Sequence, residues 1–426
     1  MQSLLSSVLA LLISVALLSL AVGMFGTFLG LRASIEGLSN EIIGLMSSGY
    51  YAAFIAGSLI CGRMINAIGH TRAFAVLASI NAALVVAFPL SDWPPLWIAL
   101  RAATGFCIAG IYVVIESWLN ARANPSNRGT LLSLYLIVTY GGLGTGQFLL
   151  NLADPHNDRL FLIATILFSL MAVPLSLSRA KMPVLPQTRV RLSIMELLRG
   201  APVGTSACVW SGISCGAVYG LGPIFAQDLG LEVSQIAQFM SALVMSGLLL
   251  QYPVGRLSDR FDRRAVLVWV CLLIVVTCAG MHALLLYFNG SGLQLWYGAR
   301  YWLLGLAALY GGLSFTVYPL GVSMANDQVR PEQMVPAAGL LLISYSIGAT
   351  LGPAAVAWLM EYMGPIGLFA LPGASAVLLG VLSLWRLLRY PELLPREGRD
   401  DPVPLPESTP RALEIGASAV RPGEPG

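Results

Sequence analysis

Long apolar runs separated by short polar loops follow one another along most of the chain. A helix needs ~20 apolar residues to cross the ~30 Å hydrocarbon layer of a membrane, and a ~19-residue window finds about twelve such runs. The pattern predicts spans near residues 8–30, 42–62, 73–90, 95–118, 130–151, 160–178, 203–226, 235–256, 265–288, 296–322, 336–359 and 366–386. The first run has no basic residue before it and exceeds the length of a signal-peptide core, so we interpret it as a retained span.

The composition supports the same interpretation. Hydrophobic residues make up 57% of the 426 positions and charged residues only 11%, with a mean hydropathy of +0.76. A chain of this length cannot hide so much apolar surface in one water-soluble core, so it must be a membrane protein. Its six cysteines lie within predicted spans without a CxxC pair, and its three histidines are scattered. We therefore expect no disulfide framework, no metal site and no catalytic cluster.

Basic residues fall almost entirely on one side of the predicted spans. Counting Lys and Arg in alternate loops places 14 on one side and 2, Arg32 and Arg159, on the other. In membrane proteins the cytoplasmic loops carry the excess of basic residues. We therefore expect an even number of spans, both termini in the cytoplasm, and a location in the cytoplasmic (inner) membrane of a bacterium.

Two segments outside the spans differ in composition. Residues 179–201 contain prolines and the short amphipathic piece VRLSIMELLRG, which predicts a cytoplasmic linker with a small surface helix. Residues 390–426 are rich in Pro, Gly and charge, so we expect a disordered cytoplasmic tail. The chain thus divides into an N-terminal six-helix bundle at 1–178, the linker at 179–201, a C-terminal six-helix bundle at 202–389 and the tail.

The two halves of the chain repeat each other. An offset of 193 residues aligns their second spans, and an offset of 206 residues aligns their fourth and fifth spans. Matched pairs are Gly62 with Gly255, Arg63 with Arg256, Gly105 with Gly311, Tyr112 with Tyr318 and Gly142 with Gly348. The 13 additional residues are expected in the third-to-fourth hairpin of the second half, around FNGSGLQLW. Parallel halves are typical of carriers whose two similar bundles rock about a site between them.

The loop after the second span of each half carries a motif. In the second half it consists of Gly255, Asp259, Arg260, Arg263 and Arg264, with Asp262 preceding the last two. The first-half copy keeps Gly62 and Gly69 but has Asn66 in place of the acid and Ala67 in place of the arginine. This motif resembles the G-x-x-x-D-R-x-G-R-R signature of the major facilitator superfamily. In this chain Asp262 stands in place of the second glycine of the signature. The runs IESWLN and FTVYPLGVSMAN are most similar to the YcaD-like transporters.

The resemblance covers all predicted spans but not the tail. It implies an all-α membrane protein with twelve transmembrane helices in two six-helix bundles, and a cytoplasmic latch that holds one conformation closed. The latch would consist of Gly62, Arg63, Asn66, Gly255, Asp259, Arg260, Arg263 and Arg264. A carboxylate facing a helix N-terminus gains about 0.3–1 kcal/mol when exposed and up to ~2 when partly buried. Asp259 would face the fifth span in this way, and the uncharged Asn66 should hold the eleventh more weakly. Alternatively, these arginines only set topology and bind anionic lipid.

Arg101 lies about six residues inside the fourth predicted span. Charged residues within a membrane are costly, so they face a cavity or a partner. Together with Gly105 it matches an R-x-x-x-G pattern that the resemblance links to proton-coupled carriers. We expect a role at a cavity, as a coupling residue or an anion-binding group; snorkelling or an interhelical hydrogen bond is the alternative. Arg300 aligns with Pro94 at a helix start, so we expect it to be an interfacial anchor.

Glu116 is a carboxylate within a predicted span, near the cytoplasmic end. It lies 15 residues from Arg101, or ~22 Å along a helix, which is too far for direct pairing. We favour a place in the latch, with Arg63, Arg72 or His70 as its partner, as acids at this position have in relatives. The alternative is a buried acid that carries the coupled proton.

Polar and aromatic side chains are the candidates for contact with a solute. Gln147 stands where the export signature of the superfamily expects a proline, and we expect it to contact the substrate if it faces the cavity. The aromatic candidates on the fourth, seventh and tenth spans, which line the cavity in this fold, are Tyr112, Trp210, Tyr219, Tyr310 and Tyr318. Aromatic walls with few charges suit an amphipathic small molecule. Packing between helices is the alternative for each of them.

These features predict a secondary active carrier that moves a small organic solute by alternating access, with proton-coupled export as the leading mode. Two alternatives remain: a carrier of the same fold for a lipid or an organic anion, and a non-transporting membrane sensor. The glycine-rich GGLGTGQ lacks the Lys-Ser/Thr of a nucleotide loop, so no cofactor is expected. No nucleophile with its base is visible, and we expect no enzyme. The expected partners are a small-molecule substrate, the lipid bilayer and protons, without nucleic acid, and the chain should be a monomer.

Overall fold

Helices form the regular structure of the described residues 2–122, 128–177, 193–291, 295–330 and 333–390 in a computed structural model. The first half contains α1 (Gln2–Ile35), α2 (Asn40–Ile68), α3 (His70–Ala87), α4 (Pro94–Arg122), α5 (Arg128–Gly146), α6 (Arg159–Leu170) and α7 (Ala172–Leu177). Short 3-10 helices, Phe88–Leu90 and Gln147–Leu152, extend α3 and α5. Because α6 and α7 follow each other directly, they form one pass.

The second half begins with a short helix in the predicted linker. This helix, α8 (Ile194–Gly200), is stabilised at its start by a capping box between Ser193 and Glu196. It is followed by α9 (Pro202–Asp228), α10 (Val233–Arg260), α11 (Arg263–Ser291), α12 (Leu295–Asn326), α13 (Met334–Met363) and α14 (Gly367–Arg389). Residue 178, the rest of the predicted linker at 179–192 and the tail from 391 lie outside the described residues.

The described helices provide the twelve predicted passes. Ten segments are long and apolar enough to cross a membrane, and one of these, Pro336–Arg389, contains both α13 and α14. The remaining pass is α5 with its 3-10 extension. Large apolar side chains such as Leu249, Trp302 and Leu378 lie exposed on the outside of the bundles, where lipid would contact them. The prediction of an all-α membrane protein with twelve membrane helices is confirmed.

Close helix packing repeats between the two halves. Gly105 of α4 lies directly against the backbone oxygen of Tyr50 on α2, and Gly311 of α12 lies in the same way against Leu243 on α10. Neither site has room for a Cβ atom, so glycine lets the two backbones touch. The partners Tyr50 and Leu243 are themselves 193 residues apart, the offset of the second spans. The internal repeat predicted from the sequence is therefore present in the packing.

A second pair of glycines repeats the packing of the fifth pass on the first. Gly146 faces the backbone oxygen of Leu20 on α1, and Gly352 of α13 faces that of Ile213 on α9. The additional residues of the second half do not form a long loop in their described part. Instead α11 has 29 residues where α3 has 18, and helix continues to Ser291. Residues 292–294 lie outside the described residues.

The two bundles approach each other mainly towards one end. We call the face with the α1–α2 and α9–α10 loops the distal face, and the opposite face, with the α10–α11 loop and the end of α14, the terminal face. In the distal half, Gly44 of α2 contacts Ala357 of α13, and Gly220 of α9 contacts Ser47 of α2. In this conformation the bundles are therefore joined in their distal halves.

Candidate functional site

An aromatic group joins the two bundles near the middle of the membrane helices. Phe315 of α12 packs edge-on against Tyr140 of α5 with 5.5 Å between ring centroids, and lies 6.0 Å from the ring of Tyr219 on α9. Tyr51 of α2 and Leu136 of α5 are partly buried against the apolar core to which Tyr140 and Phe315 belong. We call these five residues the interface cluster. Since it draws on both bundles, a rocking motion of one bundle against the other must rearrange it.

Sequence reasoning found one of these five residues, Tyr219. The aromatic candidates came from the fourth, seventh and tenth spans, so Tyr140 on the fifth pass and Tyr51 on the second were not among them. Phe315 lies three residues from Tyr318, about one helical turn, so its position on the tenth span was a usable signal.

Two other predicted aromatic residues lie close to this region. Tyr318 is buried and packs edge-on against Tyr345 of α13, with ring centroids 5.3 Å apart. It belongs to the same apolar core as Tyr140 and Phe315. Tyr112 is half-buried on α4, and its ring lies 6.4 Å from that of Phe54 on α2.

The other three predicted contact residues are held inside single bundles. Trp210 donates its indole N–H to the backbone oxygen of Pro372 on α14 at 3.0 Å. The hydroxyl of Tyr310 shares a 2.7 Å hydrogen bond with Ser214, and its ring packs against Phe369. Gln147 donates from Nε2 to the backbone oxygen of Gly23 on α1 at 2.9 Å. These bonds tie neighbouring helices together, so we do not include the three residues in the candidate solute site.

Arg101 lies inside the first bundle, against a small cavity of about 20 Å³. Its guanidinium carbon lies 4.2 Å from the ring centroid of Tyr50 and 5.7 Å from that of Phe25. Such cation–π contacts stabilise a cation by about 0.5–2 kcal/mol. Asn81 of α3 lines the same cavity and is fully buried, and neither its nitrogen nor its oxygen has a hydrogen-bond partner among the described residues. We call this space the Arg101 cavity.

Glu116 lies on the same helix as Arg101 but near the terminal face. Its side chain is fully buried, and the hydroxyl of Tyr135 on α5 donates to Oε1 at 3.5 Å. Among the described residues it is the one carboxylate that is fully buried. His70, one of its expected partners, instead forms a 2.7 Å hydrogen bond with the neighbouring Ser117.

The predicted latch in the second half makes most of its contacts within its own bundle. Asp259 is 53% exposed and forms an ion pair with Arg263 at 3.9 Å. Arg263 also donates to the backbone oxygen of Ser323 on α12 at 3.2 Å and pairs with Asp327. Arg260 is exposed, and the space beside Gly255 is open. In this conformation the loop is thus bound to α12.

In the first-half copy of the latch, Gly62 is buried and Arg63 is exposed, whereas the side chain of Asn66 lies outside the described part.

Arg264 is 4% exposed and clamps the end of α14. Its Nη1 donates to the backbone oxygens of Arg386 and Tyr390 at 3.1 and 2.8 Å, and Nε and Nη2 donate to Asp262 at 3.0 and 2.6 Å. Partial burial raises the pKa of Asp262, but the hydrogen bonds and charge of Arg264 outweigh this, so the pKa lies below its ordinary value. The acid that replaces the glycine of the family signature therefore serves this clamp.

Two six-helix bundles related by an internal repeat, which meet near the middle of their membrane helices, are the architecture of a secondary transporter. The chain belongs to the Major Facilitator Superfamily, whose family model matches residues 11–297 and 211–420.

Relatives and solved structures agree with this assignment. The chain is 31% identical over 354 residues to the uncharacterised MFS-type transporter YcaD of Escherichia fergusonii, covering 82% of this chain and 87% of that protein. It is 32% identical over 331 residues to YcaD of Salmonella arizonae, covering 75% of this chain and 80% of that protein.

The fold is similar to that of the nucleoside transporter NupG, with a TM-score of 0.71 at 14% identity over 92% of this chain and 100% of that one. A bacterial homologue of the human lysosomal transporter Spinster, in an inward-facing and occupied conformation, gives a TM-score of 0.68 at 14% identity over 92% of this chain and 98% of that one.

Proposed function

We propose that this transporter exports a small amphipathic organic solute in exchange for protons, from the cytoplasmic membrane and with both termini in the cytoplasm. The observation that carries the solute class is the interface cluster. Tyr140, Tyr219 and Phe315 bring aromatic rings from both bundles together, Tyr51 borders the same apolar core, and none of the five cluster residues is charged. Sites of this kind favour ligands that are mainly apolar with a few polar groups.

The orientation rests on charge. The terminal face carries the basic loops, and the excess of 14 basic residues against 2 supports a cytoplasmic position for it. With this orientation, bundles joined in their distal halves correspond to an inward-facing conformation. The solute would enter from the cytoplasm, and the bundles would then rock about the interface cluster to open the distal side.

The latch has a place in this cycle. Asp259 is half exposed while the distal halves are joined. When the terminal halves close, its carboxylate would meet the start of the fifth pass and stabilise the outward-facing conformation by about 0.3–1 kcal/mol, or up to ~2 if it becomes partly buried. A latch of this strength biases the equilibrium between the two conformations without locking either one.

Glu116 is the proposed proton carrier. A buried carboxylate in a membrane protein is costly when charged, so its protonation depends on what surrounds it in each conformation. Tyr135 on α5 contacts it in this conformation. Arg101 is a second proposed coupling residue, acting on α1 and α2 through Phe25 and Tyr50. The Arg101 cavity, at about 20 Å³, is too small for an organic anion and so does not support the organic-anion alternative.

The test is substrate-dependent proton movement in proteoliposomes loaded with a pH dye, across a panel of drugs, organic acids, sugars and lysolipids. We expect one amphipathic class to move protons with the wild type. Glu116→Gln should abolish the proton signal. Tyr219→Ala should raise the KM about tenfold, the factor that corresponds to ~1.4 kcal/mol of lost aromatic contact.

Tyr301→Leu is the matched control, because this tyrosine is exposed on the outside of α12. It should behave as the wild type. Each variant must first elute as a monodisperse peak in detergent. Solute transport without a proton signal would contradict the coupling, and an unchanged KM for Tyr219→Ala would contradict the placement of the solute site.

A further inference from the structure

We propose that the Arg101 cavity binds one small monovalent inorganic anion of the size of chloride. The walls of the site belong to the first bundle and border the interface cluster, since the ring of Tyr50 packs edge-on against that of Tyr51 at 5.2 Å. Its described lining residues come from α1, α2, α3, α4 and α6, and they are Val22, Phe25, Tyr50, Asn81, Arg101, Thr104, Ile108 and Phe168.

The first argument is charge. Arg101 is the one charged residue among the described residues that line the cavity. Its guanidinium lies over the aromatic rings of Tyr50 and Phe25, which attract a cation but carry no net charge. Arg101 is partly buried, and because arginine keeps its charge in proteins, a counter-charge or hydrogen-bond acceptors would stabilise it there. An anion in the cavity would provide both.

The second argument is the neighbouring amide. Asn81 is fully buried, and both polar atoms of its side chain are without partners in the described part of the molecule. Buried polar groups in native proteins are nearly always hydrogen-bonded. The amide nitrogen offers N–H donors to an anion next to Arg101. A water molecule would also satisfy the amide, but it would leave the guanidinium charge uncompensated.

The third argument is size. A cavity needs about 10–15 Å³ to hold one water molecule, and the Arg101 cavity has about 20 Å³. There is thus room for one water molecule or one single-atom anion, but sulfate or an organic carboxylate would not fit. The site should therefore discriminate anions by size, with chloride and bromide binding and sulfate and gluconate excluded.

The experiment compares the apparent melting temperature of the full chain in detergent in chloride, bromide, sulfate and gluconate salts at one ionic strength. Because a ligand that binds only the folded state stabilises it by mass action, chloride and bromide should raise the melting temperature by several degrees. Equilibrium dialysis with radioactive chloride should show one saturable site. Equal melting temperatures in all four salts, with no saturable chloride, would overturn the proposal.

Asn81→Asp is the decisive variant. It places a carboxylate of the same shape beside Arg101, so the site carries its own counter-charge. This variant should be as stable in gluconate as the wild type is in chloride, and it should lose saturable chloride binding. If chloride raised the melting temperature of Asn81→Asp as much as that of the wild type, the proposal would be overturned. The same result for Arg101→Gln would also overturn it.

Ser214→Ala is the matched control in the second bundle, where Ser214 bonds to Tyr310 far from the cavity. It should keep the full chloride response even if its melting temperature falls. The proposal does not rest on the proposed solute, direction or proton coupling, because all readouts are equilibrium binding and stability. Failure of the transport assay would therefore leave it unaffected.

Discussion

Position 101 on α4 and position 307 on α12 correspond under the repeat offset of 206 residues, yet the first holds an arginine and the second a buried alanine. Two residues that line the cavity together with Arg101 differ in the same way under the offset of 193. Leu243 replaces Tyr50, and Ile274 replaces Asn81. The glycine contacts that set the helix packing are nevertheless alike in both halves. Packing of the backbones is thus retained, while of these corresponding positions only the one in the first bundle holds a charged side chain.

The space in the second bundle is filled by a neutral group. Tyr310 corresponds to Thr104, which lines the Arg101 cavity, and its large ring is fully buried with its hydroxyl bonded to Ser214. A filled and hydrogen-bonded interior leaves no space for a ligand, whereas the Arg101 cavity is the proposed anion site. Under the proposals above, ion chemistry would belong to the first bundle, whereas the corresponding place in the second bundle is closely packed.

The terminal face shows a similar difference. His70 and Arg263 correspond, and so do Ser117 and Ser323. In the first bundle the histidine bonds to the serine side chain, and in the second the arginine bonds to the serine backbone oxygen. The start of the third pass is therefore joined to the end of the fourth in both halves, by a neutral group in one and by a charged group in the other.

The largest effect should come from the shared packing itself. Gly105→Ala and Gly311→Ala each force a Cβ against a backbone oxygen that cannot move aside. We expect each substitution to lower the free energy of unfolding by about 3 kcal/mol, at the upper end of the range for overpacked interiors. The measurement is the fraction of monodisperse protein that survives heating, by fluorescence-detected size-exclusion chromatography.

Gly305→Ala on α12 is the control for these variants, because no atom lies within 4 Å of the added Cβ. It should gain up to ~1 kcal/mol from helix propensity. A clear difference between the Gly105 and Gly311 variants would show that the packing of the halves is not equivalent.

The next effect concerns a contact that only the second bundle has. Arg264→Ala removes the clamp on α14 and leaves the Asp262 carboxylate without its arginine. We expect a cost of about 3 kcal/mol, as for one partner of a buried ion pair. Thr71 is the position that corresponds to Arg264 in the first half, and Arg256 is exposed. Thr71→Ala and Arg256→Ala should each change the free energy of unfolding by no more than ~0.5 kcal/mol. Thermal unfolding in detergent measures all three, and a Thr71 variant as unstable as the Arg264 variant would contradict the asymmetry.

The clamp also predicts a dependence on pH. The pKa of Asp262 is lowered in the folded protein, so the stability it contributes is complete above its ordinary value of 3.8 and is lost as the pH falls through the lower folded-state pKa. The difference in melting temperature between the wild type and Asp262→Asn should therefore shrink in that acidic range. At neutral pH it should not change with pH.

The smallest effect compares the two corresponding positions directly. Tyr310→Phe leaves the buried Ser214 hydroxyl without its partner, which should cost about 1–2 kcal/mol. In the described part of the molecule the hydroxyl of Thr104 donates to the backbone oxygen of Arg101 on its own helix, so Thr104→Val should lower the free energy of unfolding by less than ~1 kcal/mol. If Tyr310→Phe and Thr104→Val lowered the melting temperature equally, the hydrogen bond of Tyr310 would not contribute more to stability than that of Thr104.

The sequence by itself determined the twelve passes and the repeat. Crossing a membrane requires long apolar runs, and backbone contact requires glycine at fixed positions such as Gly105 and Gly311, so both features are visible without coordinates. The motif around Asp259 and Arg264 also indicated the family directly.

Only the tertiary structure decided which side chains share a site. Membrane helices are apolar on all sides, so the periodicity of α5 or α12 does not distinguish lipid, bundle interior and interface. For this reason Tyr140 was missed and Tyr310 was assigned to the cavity, although it lies inside the second bundle. Asn81 and Arg101 are 20 residues apart on different helices, and their meeting at one cavity depends on how α3 packs against α4.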